Sequence, residues 1–244
     1  MFRLSKHCFL LYNTLQKGSV KMENRYASRI EKVQMSSIRV VMEKVEKLRS
    51  QGKSVVSLCA GEPDFNTPEG IKKATIEALN DNQTHYSSNR GYLGLRKKVA
   101  HLLKEQTTID YDSDTEIIMT CGCSEAINNV CQAFINKDDE VIIFTPAFVS
   151  YQNTVLLCQG IPVEIPLKLS LGFQIDIEEV KNKITKKTKM IILNNPNNPT
   201  GAVYQKETLE QLCKLARENN ILILADEIYN QLDYENQYVS IASF

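Results

Sequence analysis

Hydrophobic residues recur along this chain with two alternating periods. Between residues 25 and 50, Ile38, Val41, Met42, Val45 and Leu48 fall three or four positions apart, with Lys and Glu filling the gaps. That spacing lines one face of a helix, which Gln51-Gly52 ends. Val55, Val56 and Leu58 predict a short strand running into Ala60-Gly61-Glu62-Pro63-Asp64-Phe65. This is a tight loop, where Gly61 lacks the Cβ that would keep a ligand off the backbone. Asn66/Thr67-Pro68-Glu69 offers a cap, a proline at the first helical position and an acidic first turn. A helix carrying Ile71, Ala74, Ile76 and Leu79 is predicted to follow. Thr84-His85-Tyr86 and Gly91-Tyr92-Leu93-Gly94-Leu95-Arg96 then lead into an amphipathic helix reaching Glu105.

From residue 116 the periods alternate. Strands are predicted at 116–119, 140–144, 161–165, 190–193 and 221–225. Helices are predicted at 125–134, from Thr145-Pro146 towards Leu157, at 177–184 and at 206–219. Strand–helix alternation implies βαβ units and a mostly parallel sheet. Right-handed crossovers place the turns that follow the strands along one edge. The run Ile221, Ile223, Leu222 and Leu224 has no charge and suits a strand buried on both faces. It ends in Asp226-Glu227, at the carboxyl end of the strand, where open α/β sheets bind ligands. A dry, unpaired carboxylate there is costly, so Asp226 either meets a cation or protonated ring, or enters solvent.

Composition narrows the class. A chain of 244 residues with 43% hydrophobic and 24% charged residues suits a globular protein of one large or two small domains. Lys+Arg and Asp+Glu are equal at 29, which argues against nucleic acid or an anionic membrane as partner. No apolar run approaches the roughly 18 residues a membrane span needs. Seven cysteines, no CxxC pair and three histidines argue against zinc and for free thiols in a reducing, cytoplasmic compartment. Residues 1–22 carry Arg3, Lys6, Lys17 and Lys21 without one acidic residue. They are read as a basic, disordered extension or sequence upstream of a start at Met22; a mitochondrial targeting peptide is the alternative.

Two further turns hold candidate chemistry. Thr120-Cys121-Gly122-Cys123-Ser124 follows a predicted strand and opens a helix. Backbone N–H groups at such a start bind phosphate, although a Gly-Ser turn also serves simply as a helix cap. It is neither a dinucleotide fingerprint nor a Walker loop. Asn194-Asn195-Pro196-Asn197-Asn198-Pro199-Thr200-Gly201 also follows a strand. Asn and Pro favour turns for backbone reasons alone. Three polar turns at one sheet edge nevertheless predict a shared pocket.

Taken together, AGEPDF (60–65), HYSSNRGYLGLR (85–96), TCGCSEA (120–126), NNPNNPTG (194–201) and ADEIY (225–229) resemble the class I aminotransferases that use pyridoxal phosphate. These belong to fold type I, and the aspartate and aromatic subgroup is the nearest in pattern. The resemblance runs from Ser36 to Phe244. It implies a three-layer αβα domain with a mostly parallel sheet, residues 61–244 being the cofactor-binding large domain and 23–60 a helical segment and part of a small domain. It implies that Asp226 pairs with the cofactor's ring nitrogen, and that Tyr229 and Asn198 hold its ring hydroxyl oxygen. Phe148 would stack on the ring, or else be ordinary core. Gly122, Cys123 and Ser124 would hold the phosphate. Gly61 and Asn198 would hold the substrate carboxylate. Tyr86 would reach the phosphate of a neighbouring subunit, implying a homodimer, or else be a surface tyrosine. The substrates implied are an amino acid and a 2-oxo acid.

The family's Schiff-base lysine is expected beyond Phe244, since no lysine follows Lys214. The C-terminal small domain is expected to be missing with it. The chain therefore resembles the N-terminal part of an aminotransferase and is expected to be inactive alone. A non-catalytic, cofactor-binding or dimerising paralogue, or a β-elimination lyase built on the same pocket, are the alternatives.

Overall fold

The computed structural model describes residues 27–33, 37–59, 61, 63–235 and 237–244. The expected extension at 1–22 lies outside them, as do Ala60 and Glu62 of the first loop. Helices α1 (Ser37–Ser50), α2 (Glu69–Asn80), α3 (Leu93–Thr107) and α4 (Cys123–Phe134) precede strand β1 (Glu140–Thr145). Then come α5 (Val149–Leu157), β2 (Ile161–Pro166), α6 (Ile177–Lys183), β3 (Thr188–Asn194), α7 (Lys206–Glu218) and β4 (Leu222–Asp226). The four strands form one parallel sheet in the order β2-β1-β3-β4. No described helix is long and apolar enough to cross a membrane.

Alternation within β1 and β3 builds three layers. Ile142, Phe144, Ile191 and Leu193 face one way, onto Val180 of α6 and Leu209, Leu212 and Ala216 of α7. Val141, Ile143, Met190 and Ile192 face the other way, onto Ile127 and Cys131 of α4 and Tyr151 and Val155 of α5. Both central strands are buried on both faces, which is why their sequences read as unbroken apolar runs. Helix α6 begins at Asp176, whose carboxylate accepts from the N–H groups of Glu178 and Glu179. Lys181 and Lys183 close it at the end that favours cations.

The predicted αβα class is observed, with three corrections. Residues 55–58 and 116–119 join no sheet, Glu116 lying in a turn closed by its N–H on Asp112 O, because a strand exists only where a neighbour supplies a ladder. The main chain of Met119 instead donates to Arg90 O at 3.0 Å. Helix α2 starts one residue later than expected: Pro68 is its cap, and Pro68 O accepts from the N–H groups of Ile71 and Lys72. Strand β4 is also less buried than its apolar sequence suggests, Leu222 being 39% exposed, because β4 is the sheet edge in this chain.

Candidate active site

The sheet reverses its direction of growth between β1 and β3. The chain leaving β1 turns to α5 on one face, whereas the chain leaving β3 turns to α7 on the other. Loops that part in this way open a crevice at the carboxyl ends of the strands. Here the crevice is a cleft of about 210 Å³ lined by Gly122, Cys123, Ser124, Phe148, Asn198 and Asp226, with Tyr229, Tyr151, Cys121, Ile127 and Ile228.

Asp226 ends β4, in register with Asn194 at the end of β3. It is 6% exposed, and its carboxylate is held by two donors. The Tyr151 hydroxyl donates to Oδ2 at 2.6 Å, and the main chain of Ile228 donates to Oδ1 at 3.3 Å. The Asp226 carbonyl accepts from Asn194 Nδ2 and Asn195 N at 3.0 and 3.1 Å, locking the strand end onto the Asn-Pro loop. A buried carboxylate held by neutral donors can still take a cationic group in the cleft as a partner. Glu227, by contrast, turns away from it. Its carboxylate accepts from the Ser240 hydroxyl at 2.9 and 3.0 Å and from Ile241 N at 3.1 Å.

The Asn-Pro loop is bonded to itself. Asn194 Oδ1 accepts from Asn198 N at 2.6 Å, and Asn197 Oδ1 from the Thr200 hydroxyl at 2.7 Å. Asn195 Oδ1 accepts from Tyr204 N at 3.0 Å. The peptide bonds before Pro146, Pro196 and Pro199 are cis. Successive amides are thus spent on loop shape, except that of Asn198, whose Nδ2 donates to the Tyr229 hydroxyl at 3.1 Å. Asn198 and Tyr229 present adjacent polar atoms to the cleft.

Opposite them, α4 begins at Gly122, whose φ of 81° suits glycine and which has no side chain to cap the helix. The Glu125 carboxylate folds back onto Cys121 N. Burial, then the neighbouring Asp226 carboxylate, pushes the Cys123 thiol up to about 11. The same two influences, with burial first and the Asp226 hydrogen bond next, raise Tyr151 far above an ordinary phenol.

Of the residues singled out in the sequence, the cleft gathers Gly122, Cys123, Ser124, Phe148, Asn198, Asp226 and Tyr229. Gly61 lies instead in a second cleft of about 730 Å³ that shares Asn198, Ile228 and Tyr229 with the first. Tyr86 is fully exposed and lines neither. The sequence reading missed Tyr151. It lies one helical turn after Phe148, with its ring edge-on to Phe148 at 5.7 Å, and that three-residue spacing was the available signal.

Residues 53–244 match the family model described as "Aminotransferase class I and II". The chain is 38% identical to a probable aspartate/prephenate aminotransferase of Aquifex aeolicus over 91% of its length and 57% of that protein. It is 40% identical to aromatic-amino-acid aminotransferase 2 of Thermococcus litoralis, covering 89% of this chain and 55% of the relative. Among solved structures, aspartate aminotransferase from Thermus thermophilus with maleate superposes with a TM-score of 0.87 at 38% identity, over 91% of this chain and 58% of that one. The chain thus spans little more than half the length of the curated relatives it matches. On the family match, the identities and the shared fold together, this chain belongs to the class I and II aminotransferases.

Proposed function

We propose that the protein carrying this chain is a pyridoxal-phosphate-dependent aminotransferase. It moves the amino group of an L-amino acid, such as aspartate or an aromatic one, to a 2-oxo acid. The observation that carries this reading is Asp226, a buried carboxylate facing a cleft whose opposite wall is the N-terminus of α4. One wall suits a protonated ring nitrogen and the other a phosphate, and the donor set between them fits a phenolic oxygen.

When bound, pyridoxal phosphate supplies a protonated ring that accepts the electrons freed at the substrate Cα. Asp226 would pair with that nitrogen, and the Tyr151 hydroxyl, donating to Oδ2, orients the carboxylate. Tyr229 and Asn198 hydrogen-bond the ring hydroxyl oxygen. The N–H groups of Gly122, Cys123 and Ser124 hold the phosphate, and Phe148 covers a ring face. Asn198 and the Gly61 N–H hold the substrate carboxylate. Residues 61–244 make up the cofactor domain, and 23–60 a helical lead-in with part of a small domain. The resemblance also implies a lysine that would shuttle the proton between substrate and cofactor. The cytoplasm is the proposed location.

Tyr86 fits contact with the phosphate of a second copy, because it stands clear of its own chain's clefts. The apolar Ile71, Ile76 and Leu79 of α2, all more than half exposed, support a homodimer as well.

The test incubates the purified full-length protein carrying this chain with pyridoxal phosphate, an amino-acid panel and 2-oxoglutarate. Glutamate should form in step with the new 2-oxo acid. Ammonia and pyruvate released without glutamate would instead reveal elimination, and no transfer at all would point to a non-catalytic paralogue.

A further inference from the structure

Two acidic residues stand side by side at the end of β4, and they point different ways. Asp226 lines the cleft; successive side chains along a strand alternate, and Glu227 meets the chain's own later segment instead. Its carboxylate accepts from the Ser240 hydroxyl and the Ile241 N–H, thirteen and fourteen residues further on. Ser240 and Ile241 are both buried, so without Glu227 two buried donors lose their acceptor. Ile241 belongs to the same buried cluster as Leu209, Leu212 and Cys213 of α7, and Cys213 Sγ donates to its carbonyl at 3.7 Å. Glu227 therefore fastens the end of β4 to a fixed point in the core.

Between those two points runs a loop whose strong bonds are internal. Asn230 N donates to Glu227 O at 3.0 Å, and Leu232 N to Tyr229 O at 2.8 Å. The Asp233 carboxylate accepts from Glu235 N at 3.0 Å and Tyr238 N at 2.6 Å. Such bonds shape the loop from within without fixing where it lies. Its outward bonds from Ile228 N to Asp226 Oδ1 and from Asn230 Nδ2 to Gln106 Oε1 are long, at 3.3 and 3.5 Å. The first turn of this loop carries Tyr229, whose hydroxyl accepts from Asn198 Nδ2 at 3.1 Å.

We infer that Glu227 is a positioning residue: its clamp on Ser240 and Ile241 holds the loop that sets the Tyr229 hydroxyl beside Asn198 in the cleft. The inference rests on the aminotransferase reading above, in which Tyr229 and Asn198 hold the cofactor's ring hydroxyl oxygen, and adds a residue that touches neither. Hydrogen bonds weaken steeply once distance and angle depart from their optimum, and a binding group is only as precise as the residues that support it. A loop released from Ser240 and Ile241 forfeits the Tyr229 contact. Asp226 stays in place, because Tyr151 and the pairing of β4 with β3 hold it independently. The adjacent acids thus have separate tasks: Asp226 meets the ligand, and Glu227 fixes the loop beside it.

The test is a double-mutant cycle on the full-length apoprotein carrying this chain, with pyridoxamine 5′-phosphate binding read by titration calorimetry. Glu227→Ala and Tyr229→Phe should each weaken binding about fivefold. Because Glu227 acts through Tyr229, the double variant should bind within about twofold of Tyr229→Phe alone. A general loss of stability would instead weaken both backgrounds alike. Amide hydrogen exchange without ligand should show the Leu232 N–H exchanging at least about tenfold faster in Glu227→Ala. If that variant loses its cooperative thermal unfolding, Ser240→Ala takes its place in the cycle, with the same non-additivity expected. Undiminished affinity in the folded clamp variant, equal losses with and without the Tyr229 hydroxyl, or unchanged exchange at Leu232 overturns the inference and leaves the aminotransferase reading standing. If the unaltered protein binds no pyridoxamine 5′-phosphate, the aminotransferase reading falls and takes the inference with it.

Discussion

Asp226 is the residue on which the chemistry turns, and its neighbours make two predictions. The Tyr151 hydroxyl donates a hydrogen bond to Asp226, and both side chains are almost fully buried. Tyr151→Phe keeps the ring against Phe148 but leaves that carboxylate oxygen short of a donor. Stability should fall by about 1–3 kcal/mol, read from urea unfolding at neutral pH; an unchanged midpoint would show that the bond carries no weight. Cys123 gives a pH dependence. Its thiol is ordinary near 9.0 and is raised to about 11 in the fold by burial and by Asp226. Below pH 9 the thiol is protonated in both folded and unfolded chains, so its contribution is intact. Between 9 and 11 the unfolded chain ionises first, and stability declines as pH rises through that window. Cys123→Ala should flatten this part of the stability–pH curve, and Cys121 should alkylate faster than Cys123 at pH 8. Equal alkylation rates would count against the shielding of the half-buried Cys123 thiol.

Elements were legible in the sequence where the signal was local. The alternating periods placed strands at 140–144 and 190–193 and a helix at 177–184, close to the observed β1, β3 and α6. What failed was what depends on distant chain. Residues 116–119 have strand composition but no ladder, and β4 has a core-like sequence at an exposed sheet edge. At the site, the turns bearing Gly122, Asn198 and Asp226 could be placed on one edge from alternation alone. Tyr151 could not, because only the docking of α5 against β4's end brings a hydroxyl to that carboxylate. Close packing between elements also makes a prediction. Gly160 joins α5 to β2, and a Cβ there would lie 2.8 Å from Ile135 Cγ2 and 3.2 Å from the Asp139 carbonyl oxygen. Gly160→Ala should cost about 1–3 kcal/mol in chemical denaturation. A neutral result would mean that the α4–β1 connection yields easily.

At the scale of the molecule, a parallel sheet sandwiched between helices holds a crevice at its switch point, and the sheet edge at β4 and the faces of α2 stay open. The crevice sets an anionic group, Asp226, against a helix N-terminus that favours anions, with a phenol and an amide between them. That arrangement is the central claim, because it fits a ligand carrying a cationic ring nitrogen at one end and a phosphate at the other. Pyridoxamine 5′-phosphate has both ends and needs no lysine to hold it. Titration calorimetry of the apoprotein with this compound should show saturable binding, weakened at least about tenfold by Asp226→Ala, or about 1.4 kcal/mol, with the thermal unfolding transition still cooperative. Undiminished affinity in the folded variant would contradict the account.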